Sequence, residues 1–94
     1  MKLSELYEVH KTASDKLSAM LSGDGIPTLD DALGVTSLIY DALQEKTTGD
    51  FVAVKALRGA LDEALEYLIV GIIHGGAMNR VVWRRALAML VEVK

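Results

Sequence analysis

Apolar residues recur in steps of three and four from the start of the chain: Leu3, Leu6, Ala13, Leu17 and Met20, with His10 inside the same series. That a/d spacing marks one buried helical face, and it predicts a first helix over about Ser4–Leu21. Ser22–Pro27 (SGDGIP) breaks the pattern with two glycines and the single proline, and reads as a loop. A second helix opens at Thr28. Its hydroxyl suits an N-cap, with Asp31 three residues on as the reciprocal partner, and Asp30 and Asp31 suit the positive end of the helix dipole. Leu29, Ala32, Leu33, Ile39, Tyr40 and Leu43 share one arc, and Val35, Leu38 and Ala42 widen it, so this helix is expected to touch more than one neighbour. Gly34 lies inside it at a cost of about 1 kcal/mol relative to Ala. Either a close backbone approach or simple tolerance explains it.

KTTGD (46–50) ends the second helix and offers Asp50 as N-cap of a third, from Phe51 to about Ile73. Two apolar faces lie side by side on it. Val54, Leu57, Leu61, Leu65, Leu68 and Ile72 form a bulky ridge; Ala53, Ala56, Ala60, Ala64 and Gly71 form a small-residue groove that would admit a neighbouring helix closely. The charged stripe of Lys55, Arg58, Asp62, Glu63 and Glu66 stops at Glu66, and Tyr67–Ile73 (YLIVGII) is apolar all round. Such a helix end needs a cover. A second subunit is the expected one, with Tyr67, Ile69, Val70 and Ile73 as its dimerisation residues. The competing reading of the same stretch is a short buried strand, because Ile and Val favour strands. After the HGG break, about Met78–Val93 forms a fourth helix burying Val82, Trp83, Ala86, Met89, Leu90 and Val93. The expected fold is all-α: one domain over 1–94, a four-helix up-down bundle or close variant completed by dimerisation.

Composition sharpens that picture. Hydrophobic residues make up 51% but aromatic ones only 5%, so the apolar content is aliphatic and large for a small domain to hide alone. The net charge is −3, unevenly spread: residues 1–73 carry six Lys/Arg against twelve Asp/Glu, and residues 74–94 carry four against one. With no cysteine, disulfides, thiolate metal sites and cysteine nucleophiles are excluded. Glu5 and Glu8 interrupt any signal-like start, and Tyr67–Asn79, the longest uncharged run, falls short of the roughly 18 residues of a membrane span. The expectation is a cytoplasmic protein without a membrane partner.

Candidate chemistry is sparse. Neither histidine has a carboxylate three residues before it; Tyr7 and Gly71 stand there, so a di-iron bundle is not supported. His10 reads as a seam histidine bonded to a nearby acceptor, and His74 as part of a helix end. HGGAMNR (74–80) could present backbone N–H groups and Arg80 to an anion, but no phosphate-loop or dinucleotide spacing is present, and glycine after a helix is ordinary C-capping. Glu63 and Glu66 belong to a hydrated stripe. No catalytic, cofactor or metal residue is assigned.

The one concentrated feature is the cluster Arg80, Trp83, Arg84 and Arg85 in an otherwise acidic chain. At 100° per residue Arg80 and Arg84 project together, with Trp83, Leu87 and Val91 on their flank. Trp83 is expected at the edge of the core. Arg80, Trp83, Arg84, Leu87 and Val91 then form a partner-binding edge, since Trp and Arg are enriched at interface hot spots. The alternative is Arg80 stacked on Trp83 as internal packing. The functional expectation is a non-enzymatic, homodimeric protein binding another protein of acidic or mixed surface, as adaptors, immunity- or antitoxin-like factors and phage-type inhibitors do. Nucleic-acid binding through the basic fourth helix and a small-ligand site within the bundle are the alternatives.

Overall fold

The computed structural model describes residues 1–23, 27–74 and 78–92, apart from the side chains of residues 78 and 79. Four helices follow in order: α1 (Leu3–Leu21), α2 (Leu29–Gln44), α3 (Phe51–His74) and α4 (Met78–Val91). The apolar stretch after Glu66 continues α3 as helix. Its buried residues Leu68 and Gly71 continue the three- and four-residue spacing of Leu57, Ala60, Leu61, Ala64 and Leu65, and that continuity overrides the strand preference of Ile and Val.

Local chemistry starts the helices where expected. Thr28 Oγ1 accepts the Asp31 N–H at 3.2 Å, and the Asp50 carboxylate accepts the Ala53 N–H at 3.0 Å. Each such cap contributes on the order of 1 kcal/mol. At α1, Glu5 Oε1 accepts the Lys2 N–H at 3.0 Å. The segment before α3 is also stitched to the start of the chain. Thr48 N–H donates to the Met1 carbonyl and Leu3 N–H to the Thr48 carbonyl, both at 2.9 Å, forming one parallel bridge. Gly49 follows with φ +137°, a backbone setting that favours glycine, and a Cβ there would lie 2.8 Å from Leu3 Cβ.

α1 and α3 each touch all the other helices, whereas α2 and α4 do not meet among the described residues. The helices therefore ring the core in the order α1, α2, α3, α4, with α1 and α3 in contact across it. The end of α1 meets the start of α4 at Leu21 and Arg80, and the middle of α1 meets the end of α4 at His10 and Leu90, so these two run in opposite directions. α3, at 24 residues, spans about 36 Å and sets the long dimension of a 39 × 22 × 16 Å body. The core is Leu6, Ala13 and Leu17 of α1, Val35 and Ile39 of α2, Leu57, Leu61 and Leu68 of α3, and Trp83, Ala86 and Leu90 of α4. Each large aliphatic side chain buried there contributes roughly 1.5–3 kcal/mol relative to exposure.

Several expected core positions lie elsewhere. In α2 the buried face is Ala32, Val35, Ile39 and Ala42; Leu29, Leu33 and Tyr40 are exposed on its flanks. In α3 the small-residue groove is packed at Ala60, Ala64 and Gly71, but Ala56 is exposed. Gly34 has open space around its Cα and needs no close approach. Val93 and the 75–77 part of the HGGAMNR stretch lie outside the described residues.

Candidate functional site

Trp83 does not reach the solvent boundary: none of its surface is exposed, and it lies inside the core at the seam of α3 and α4. Gly71 is the reason. A Cβ at that position would lie 2.8 Å from Trp83 Cδ1 and Cε2 and closer still to Nε1. The missing side chain is the slot that takes the indole. Its Nε1–H donates to the Leu68 carbonyl at 3.3 Å, so the one polar atom is satisfied inside the protein. A residue held in this way has no surface to offer a partner.

Arg80 is also not on an exposed stripe. It is half-buried, and its guanidinium donates to the Leu21 carbonyl at 2.9 Å, at the end of α1. Two further basic side chains repeat the device. Arg58, expected on the solvent stripe of α3, donates to the carbonyls of Leu43 (2.7 Å) and Glu45 (2.8 Å) and to Thr47 Oγ1 (3.3 Å), where α2 ends. His10 Nε2 lies 2.6 Å from the Leu90 carbonyl in the last turn of α4. The final carbonyls of a helix lack intrahelical donors and carry the negative end of its dipole, so a cationic or N–H donor from another helix suits them. His10 is thus the bonded seam histidine that the spacing implied, and α3 ends at His74.

Of the expected partner-binding edge, Arg84 and Val91 are exposed and Leu87 is half-buried against the core. Arg84 and Arg85 remain as exposed cations on α4, flanked by exposed Val81 and Val91. The expected dimerisation residues are better placed for contact. Ile73 is 72% exposed, Ile69 and Val70 are each 41% exposed, and Tyr67 is half-buried. Among the described residues the only ion pair joins exposed Lys11 and Asp15 at 3.0 Å, and that hydrogen bond raises the Lys11 pKa above its ordinary value.

The outer face of α3 is the most distinctive surface. It is apolar at both ends, Phe51 and Val52 at one and Ile69, Val70 and Ile73 at the other, with Asp62, Glu63 and Glu66 between them. Phe51 and Val52 are about three-quarters exposed, and Tyr40 on α2 is half-exposed beside them. Two shallow grooves flank this end of α3: one towards α2, bordered by Tyr40, Leu43 and Val54, and one towards α4, bordered by Ala56, Ala60 and Met89. Phe51, Lys55 and Gly59 border both. The Phe51–Val52 surface was missed from the sequence, although a signal existed. Asp50 as N-cap places both residues in the first turn of α3, and Phe51 falls on the face of Lys55 and Arg58 rather than on the Val54–Leu57–Leu61 ridge.

No group of three or more acidic or histidine side chains gathers closely enough to hold a metal among the described residues. Among those residues, no helix is long and apolar enough to cross a membrane. Comparison of the chain with protein-family models, curated proteins and solved structures found no match.

Proposed function

We propose that this is a non-enzymatic helical protein that acts by binding another protein, and that it works as a homodimer of up-down four-helix subunits. The observation that carries the reading is the outer face of α3, where large apolar side chains stand in solvent at both ends of one continuous helical surface. Two clusters of large exposed apolar side chains, one at each end and separated by a charged middle, are the kind of surface that interaction sites use. The Ile69–Ile73 end is assigned to the second subunit. The Phe51–Val52 end is assigned to the partner protein, with grooves on both sides of Gly59 to receive its side chains. The partner surface that fits is mixed: apolar groups for Phe51 and Val52, and an acidic group for exposed Lys55.

The alternatives have less support. A nucleic-acid interface would rest on Arg84 and Arg85, since Arg58 and Arg80 are bonded to helix ends, and two cations give a weak phosphate-binding field. A small ligand within the bundle would compete with Trp83 and the aliphatic core for the same volume.

A photo-crosslinking side chain placed at Val52, and as a control at exposed Lys11 on α1, tests the partner-binding end in cells that make the protein. A discrete heterologous adduct from position 52, absent from position 11, is expected. Adducts equal at both positions, or none heavier than the chain with itself, would remove this face from the reading.

A further inference from the structure

The exposed charges of α3 and α4 complement one another but are not joined. Glu63 and Glu66 on α3 and Arg84 and Arg85 on α4 are all exposed, and none takes part in an ion pair among the described residues. Both helices present these charges between apolar residues: Val70 (41% exposed) follows Glu66 by one turn, and Val81 (59% exposed) precedes Arg85 by one turn. Glu63 and Glu92 line the groove between the two helices, so the residues seven away from each, Val70 and Arg85, share that outer side.

The levels along the bundle follow from the Trp83 contacts. Trp83 of α4 bonds to Leu68 of α3 and packs on Gly71, while Met89, further along α4, shares a groove with Ala60, earlier in α3. The two helices are therefore antiparallel. Two residues onward in α4 and two residues back in α3 bring Arg85 level with Glu66. By the same step Val81 is level with Val70.

We infer that a second copy of this chain docks on the outer face shared by α3 and α4, in a two-fold arrangement that sets Glu66 of each copy against Arg85 of the other. The inference rests on the dimer reading above and adds an interface and a register to it. A two-fold axis parallel to the helices, lying between the copies, keeps every level along the bundle and exchanges left with right. α3 of one copy then lies over α4 of the other. Each pairing made once is made twice, as an isologous contact requires. Glu66 meets Arg85 and Val70 meets Val81, both in duplicate, so an apolar contact flanks each charged one. Sliding one copy by a turn would place the valines against charges, which specifies the register.

Charge exchange between copies tests this. The proteins are the wild type, Glu66→Arg, Arg85→Glu, and an equimolar mixture of the two variants, each followed by sedimentation at micromolar concentration. The wild type is expected to dimerise. Each variant alone should dissociate roughly 10- to 100-fold more readily, because both contacts become like-charged. The mixture should recover most of the wild-type affinity, since each contact in the mixed dimer again joins an acid to a base. Both positions are exposed, so the helical circular dichroism of each variant should match the wild type, as should its melting at a protein concentration low enough for all of them to be monomeric. A monomeric wild type would overturn the dimer reading and this interface with it. A wild-type dimer whose variants associate equally well would overturn this interface alone, and a mixture that fails to recover would overturn the pairing of Glu66 with Arg85.

Discussion

Glycine takes opposite meanings at two positions in this chain. At Gly71 the absence of a side chain admits the indole of Trp83, and any Cβ would intrude on the ring. Gly71→Ala is therefore expected to destabilise the fold by about 1–3 kcal/mol, the usual range for overpacking a filled interior. At Gly34 nothing lies within 4 Å of an added Cβ, so Gly34→Ala should stabilise by about 0.5–1 kcal/mol through helix propensity and a less flexible unfolded chain. Urea unfolding of the two variants checks both signs. Equal effects of the same sign would show that Trp83 can move aside at little cost. The sequence identified Gly71 as a small position on a packed face. It did not reveal what filled the space, because Trp83 lies on a different helix and only the packing of α3 on α4 brings them together.

Helix ends in this protein are closed in two ways that differ in how far they could be read beforehand. Thr28 and Asp50 cap the starts of α2 and α3 from within a few residues, and local chemistry of that range is legible in a sequence. The other ends of α1, α2 and α4 are closed by Arg80, Arg58 and His10 from distant elements, and the two arginines were read as surface charges. Periodicity assigned Arg58 to a solvent face because it cannot report that another helix ends beside it. α2 failed differently. With apolar or small residues on most of its positions, several faces qualified as core, and packing selected the one centred on Val35 and Ile39. Arg58→Ala should cost about 1–3 kcal/mol, since three acceptors at the end of α2 lose a charged donor together. Arg58→Lys should recover less than half of that, because one ammonium cannot match the guanidinium fork. Chemical denaturation gives both values, and full rescue by lysine would mean that charge alone, without the fork geometry, closes the helix.

At the scale of the whole molecule, all four helices contribute to one core, and each joins another through a long-range side-chain bond at a helix end or, for α3 with α4, through Trp83. Trp83 has a further use, since it is the single tryptophan of the chain and is wholly buried at the seam of α3 and α4. Its fluorescence is a built-in gauge of whether those two helices are docked. Emission from the native protein should be shifted to the blue and shielded from acrylamide, and it should move to the red when α4 leaves α3. Ellipticity in the far ultraviolet follows all four helices together. Monitoring both signals through one thermal ramp therefore separates two ways of coming apart: coincident curves mean that the bundle melts as a unit, and a tryptophan signal that moves first means that α4 peels away while helical content persists.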